Sequence, residues 1–156
     1  MEYKELIAAF ATKCGIEGLS ASDGAATIEA DGVRVELLDD WQTGCVLACA
    51  DIGHPPPDAD GTFGAMMLQT NFMLRGTEGA TLCQNPETGA YALVRPFPLP
   101  LTDADSLAAG VESLVNQAEN WRNALAGVLE AEKARAKALE TDASHHDMIA
   151  NDFLHV

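Results

Sequence analysis

Residues 26–37 constrain the fold of this chain more than any other stretch. Two short runs, Ala26-Thr27-Ile28-Glu29-Ala30 and Val33-Arg34-Val35-Glu36-Leu37, flank the dipeptide Asp31-Gly32. Asp-Gly supplies the positive φ angles of a tight primed turn, whose twist suits two antiparallel strands. Alternation then sets Val33, Val35 and Leu37 on one face and Arg34 and Glu36 on the other. A ribbon with one apolar face needs a cover, and the flanking segments supply it.

The cover on the N-terminal side is a helix. Tyr3, Leu6, Ile7, Phe10 and Cys14 recur at helical spacing, and Gly15 is placed to end the helix in the left-handed region. After the hairpin, Gly44 to Ile52 is apolar on both faces, as expected of a central strand. His54-Pro55-Pro56-Pro57-Asp58 then interrupts the pattern, because proline cannot donate to a ladder. A second helix is expected over Gly61 to Leu74, with Gly76 and Gly79 closing it.

A second hairpin follows: Ala80 to Gln84, a turn at Asn85-Pro86-Glu87-Thr88-Gly89, and Ala90 to Arg95. Pro96, Pro98 and Pro100 are expected to stop that last strand. Thr102 and Asp105 resemble a capping box opening a long final helix. Its apolar stripe runs through Leu107, Val111, Leu114, Val115, Ala118, Trp121, Leu125, Val128 and Leu129. Beyond Leu129, Glu, Lys, Arg and Ala favour helix but leave little to bury, so that end should protrude or fray.

The order is α-β-β-β-α-β-β-α. This predicts an α+β domain: an antiparallel sheet with helices on one side. Residues 1–140 are expected to form one domain, with 141–156 as a polar, poorly ordered tail.

Charge narrows the partners. The 156 residues carry 24 acids and 9 bases, a formal net charge of -15. The acids are spread along the chain and do not form a tail. That field disfavours nucleic acid and anionic membrane surfaces as partners. The N-terminus has no apolar signal core and no segment approaches a membrane span, which predicts a cytoplasmic protein. Cys14, Cys45, Cys49 and Cys83 lie in apolar contexts without a CxxC pair, and are expected to be reduced and mostly buried.

Catalytic and metal signatures are missing. There is no GxGxxG, P-loop, HExxH or GxSxG pattern. His145-His146-Asp147 and His155 could gather a metal, but adjacent histidines in a polar tail are more often solvated. Cys45 and Cys49 share a strand face about 13 Å apart, too far for a disulfide. No enzyme activity, cofactor or metal is expected.

One stretch carries a family resemblance. From Met67 to Leu125 a helix ends in an apolar segment centred on Asn71, and Gly76 and Gly79 precede a strand. A turn with Asn85 and Gly89 comes next, then a proline-marked exit and a final helix carrying Ala118 and Trp121-Arg122. This ordered set resembles the Tir-chaperone family, the class I chaperones of type III secretion, an export route of bacterial virulence. The resemblance implies a homodimer that binds the N-terminal segment of a secreted effector and keeps it soluble and export-competent. It implies contact with the secretion apparatus as a further partnership, and no catalysis.

Such a protein needs exposed apolar surface on a folded frame. Ile7 and Phe10 on the first helix, with Val33, Val35, Leu37 and Val46 on the sheet, are the effector-binding candidates. The same periodicity also fits ordinary core positions. Met66, Phe72, Met73 and Leu82 are the dimer-interface candidates, since the second helix carries more apolar residues than one face requires. The alternative to a chaperone is a small acidic α+β domain, an enzyme or binder of a metabolite.

Overall fold

The computed structural model describes residues 2–55, 61–74 and 76–152. The middle and end of the proline loop (Pro56 to Asp58), His155, and the side chains of His145, His146 and Asp147 lie outside the described residues. The elements are α1 (Tyr3–Cys14), β1 (Ala25–Ala30), β2 (Val33–Asp40), β3 (Cys45–Gly53), α2 (Thr62–Asn71), β4 (Thr81–Gln84), β5 (Tyr91–Pro98) and α3 (Ala104–Asp152). Short 3-10 turns follow α2 at Phe72–Leu74 and β5 at Leu99–Leu101. The element order is the one expected, α-β-β-β-α-β-β-α.

The five strands form one antiparallel sheet in the order β1-β2-β3-β5-β4. Its first corner is the Asp31-Gly32 turn, with φ of 51° and 73°, closing the pair Ala30 and Val33. Both residues adopt the left-handed region, as a type I′ turn demands. Register then places Ala26, Leu37, Ala48 and Ile28, Val35, Ala50 in rows on the same face. That face is buried under α1 and α3.

α1 starts with a capping box in which Glu2 and Glu5 each accept from the other's backbone N–H. It ends on Gly15, whose φ is 66°. Tyr3, Leu6, Ile7 and Phe10 enter the core, and the Tyr3 hydroxyl donates to the Leu37 carbonyl at 2.7 Å. α3 opens one residue later than expected: Asp103 and Ser106 cap each other's backbone at 2.8 and 3.0 Å. Thr102 donates instead to the Pro98 carbonyl, and Asp105 pairs with Lys13 of α1. α3 packs closely on the sheet at Gly110, where a methyl group would run into the Phe97 ring.

Three expectations need correction. β3 is central but buried on one face only, because no helix among the described residues covers the opposite face; Cys45, Leu47 and Cys49 are half-exposed there. β5 continues through Pro96 to Pro98, paired with Leu47 and Cys45 of β3. Past Val94 it has lost β4 as a neighbour, and an edge strand tolerates proline. Cys14 falls off the buried stripe and is exposed, and none of the four thiols is fully buried. α3 continues as helix through residue 141 to Asp152.

Burial, and then the charge of Asp39, pushes the Tyr3 phenol up from 10.0 to about 12. The unfolded chain therefore ionises this group first, so its contribution is complete below pH 10 and is lost as pH rises toward 12. An absorbance titration should show one tyrosine ionising near pH 12 that disappears in Tyr3→Phe. Urea midpoints should fall across the same window in the parent and less in the variant.

Candidate functional site

The structure sorts the ten candidate residues by burial. Ile7, Phe10, Val33, Val35, Leu37 and Val46, the effector-binding candidates, are all in the core. They belong to the one core between the sheet and its helices, so none forms a surface patch on this chain; helical and strand periodicity had located the core instead. Leu82, an interface candidate, is also buried, between β5 and the end of α2. Met66 is partly buried against the core. Phe72 and Met73 are fully on the surface, at 77% and 64% exposed.

Phe72 and Met73 belong to a larger apolar tip. Leu68 and Leu74 beside them are exposed too. The tip is anchored at its base: Phe63 stacks on Tyr91 of β5 at 5.3 Å and meets Trp121 of α3 edge-on at 6.0 Å. Met73 and Leu74 both have positive φ, 62° and 53°. For side chains with a Cβ this costs about 1 kcal/mol or more each. The following loop is tied to α3, where Glu78 accepts from Ser113 and Gln117 at 2.9 and 3.2 Å. Leu68 and Leu74 were not among the interface candidates; the excess of apolar residues on the second helix was the signal that could have found them.

The two edges of the sheet differ. On β4, the Asn71 side chain accepts from the Leu82 N–H and donates to its carbonyl, each at 2.9 Å. The amide occupies the place of a neighbouring strand and closes that edge. β1 is the opposite edge, with no strand on its outer side among the described residues. The Asp39 N–H donates to the Gly24 carbonyl, which fixes the alternation: even-numbered β1 residues bond to β2, and Ala25, Thr27 and Glu29 turn outward. Ala25 is satisfied by Ser22, leaving Thr27 and Glu29 as open backbone positions.

The uncovered face of the sheet carries Leu38, Leu47, Cys49, Val94 and Cys83 in adjacent rows. Beside the β4–β5 turn it forms an open depression of about 560 Å³, lined by Arg34, Glu36, Cys49, Asp51 and Cys83 among others. Burial raises the Cys49 thiol to about 11, helped by Cys83, Glu36 and Asp51, and burial raises Cys83 as well. Both are protonated thiols at neutral pH, poor nucleophiles and poor ligands. Among the described residues no group of three or more His, Cys, Asp or Glu is placed to hold a metal. Nor is any helix there long and apolar enough to cross a membrane.

A model of the Tir chaperone protein (CesT) family matches residues 5–122. The chain belongs to that family. Solved structures share its fold. The HopA1–SchA chaperone–effector complex contains a chain with TM-score 0.64 and 20% identity, over 78% of this chain and 93% of that one. The ExsC–ExsE complex gives 0.67 and 21%, over 78% and 92%. The Yersinia pestis type III secretion chaperone SycH, in complex with a fragment of YscM2, gives 0.63 and 19%, over 77% and 99%. No curated protein sequence matches the chain.

The CesT-family match ends on Arg122, and that residue closes the domain. Its side chain donates to the carbonyls of Gly32 and Asp51 at 2.6 and 3.0 Å, tying α3 to the β1–β2 turn and the end of β3. The remaining helix, from 123 to Asp152, extends past the matched region. Asn71 and Arg122, two residues of the family resemblance, are therefore structural clamps on the sheet. Asn71→Ala should lower stability by about 1–2 kcal/mol, because two backbone groups of Leu82 lose their partner. Urea unfolding of the two proteins measures it.

Proposed function

We propose that this chain is a type III secretion chaperone that binds the N-terminal region of a secreted effector and keeps it soluble and export-competent. The family match over residues 5–122 carries this reading. Two features of the chain support it. The open β1 edge at Thr27 and Glu29 offers main-chain hydrogen bonds to an extended client segment. The uncovered sheet face offers Leu38, Leu47 and Val94 as an apolar platform beside it. A protein that works this way acts by binding, without catalysis or cofactor, in the cytoplasm.

The second surface serves self-association. Phe72, Met73 and Leu68 form an exposed apolar tip on strained backbone, far from the β1 edge. A monomer has no reason to hold that backbone in place, whereas a homodimer would bury it. Met66 sits at its base; Leu82 supports it from within.

Co-expression with about the first hundred residues of a neighbouring effector, followed by size-exclusion chromatography with light scattering, tests both surfaces. We expect two copies of this chain with one client fragment. Phe72→Ser with Met73→Ser should give a folded monomer. Thr27→Pro removes one outward N–H while sparing the β1–β2 ladder, so it should leave the dimer intact and weaken client capture about tenfold. A wild-type monomer that ignores every client would overturn the reading. A dimer whose client binding is untouched by Thr27→Pro would move the client off the β1 edge.

A further inference from the structure

Two large apolar residues are exposed at the end of the sheet opposite the paired part of β4. Trp41, in the β2–β3 turn, is 79% exposed, and Leu101, in the β5–α3 connection, is 83% exposed. The two segments are joined: the Leu99 N–H donates to the Gly44 carbonyl at 3.0 Å, next to the Cys45–Pro98 pair. Each is also fixed internally. Asp40 accepts from the Thr43 hydroxyl at 2.5 Å and the Gln42 N–H at 3.3 Å, and its carbonyl accepts from Gly44 at 2.8 Å. Thr102 donates to the Pro98 carbonyl at 2.8 Å. Two large apolar side chains are thus presented to water on hydrogen-bonded turns.

The charge around them is mostly acidic. Three segments meet at this end: 12–24, held by the Lys13–Asp105 pair and the Asp39–Gly24 hydrogen bond; 39–44; and 98–106. They contain Glu17, Asp23, Asp39, Asp40, Asp103 and Asp105 against the single base Lys13, which Asp105 already engages. An exposed indole within an acidic rim attracts cations twice, through the ring face and through the field. The same field repels nucleic acid and acidic lipid.

We propose that this end of the sheet docks a basic polypeptide segment, one that sets an apolar side chain beside Lys or Arg. The apolar residue would cover Leu101 and the indole edge, and the cation would lie over the ring or against Asp23 and Asp39. The surface is separate from the α2 tip, which belongs to the β4 side of the sheet. It does not use the outward backbone of Thr27 or Glu29. A basic partner can therefore engage the chain together with a client and a second copy, and the inference stands whether or not those are found.

The probe is a short synthetic peptide alternating Arg and Leu, compared with Arg/Ser and Glu/Leu counterparts. The protein has two tryptophans, so the indole N–H signals in an NMR spectrum report the site, with Trp41→Phe giving the assignment. The Arg/Leu peptide should move the Trp41 signal and leave that of Trp121 in place. Trp41→Ser with Leu101→Ser should weaken binding about tenfold, with the charge unchanged and no buried group removed. Asp23→Asn with Asp39→Asn should weaken it severalfold and flatten its salt dependence. Equal binding by the Trp41/Leu101 variant, equal binding of the Arg/Ser peptide, or a shift of the Trp121 signal alone would overturn the proposal.

Discussion

Everything in this fold hangs on one contact, the packing of α3 across the centre of the sheet. Leu107, Val111, Leu114, Val115, Ala118 and Leu125 leave water together, against β3, β5 and α1. Each of these leucines and valines contributes about 1.5–3 kcal/mol when fully buried, so no single hydrogen bond rivals the stripe as a whole. Gly110 lets the helix come close to Phe97, and Arg122 fastens its far end to the turn carbonyls of Gly32 and Asp51. The small residue and the cation set the position; the apolar stripe supplies the driving force.

Because the helices all pack on one face, the opposite face and the sheet margins are left open among the described residues. The consequence is a division of labour by position. Residues under the helices, Val33, Val35, Leu37 and Val46 among them, are spent on stability. The β1 edge, the tip after α2 and the turn end at Trp41 are what remain exposed. The two edges show how finely this is set: one asparagine closes β4, while Thr27 and Glu29 leave β1 open. Unpaired strand edges are a hazard for aggregation unless they have a use or a guard. The net charge of -15 is such a guard in general terms, since like charge opposes non-specific aggregation.

Much of this was legible in the residues. The Asp31-Gly32 hairpin, the element order, the Gly15 cap and the family to which the chain belongs all follow from local chemistry or from an ordered set of short motifs. The candidate surfaces were less legible. An apolar residue at regular spacing reads the same whether a helix or a partner covers it, which is why Ile7 and Phe10 were candidates and proved to be core. Phe72 and Met73 were separable because the second helix has apolar residues on more than one side. Trp41 and Leu101 left no periodic trace, since each is a lone residue in a turn.

The sequence by itself determined the parts: which stretches bend, which alternate, which wind, and how much charge the chain carries. These depend on interactions within a few residues, so they can be read along the chain. Only the tertiary structure decided which face of the sheet is covered, which edge is closed and which apolar residues stay in water. Those outcomes depend on contacts between distant segments. The Asn71 amide on Leu82, Arg122 on Gly32 and Leu99 on Gly44 each join elements whose spacing in sequence says nothing of their meeting in space.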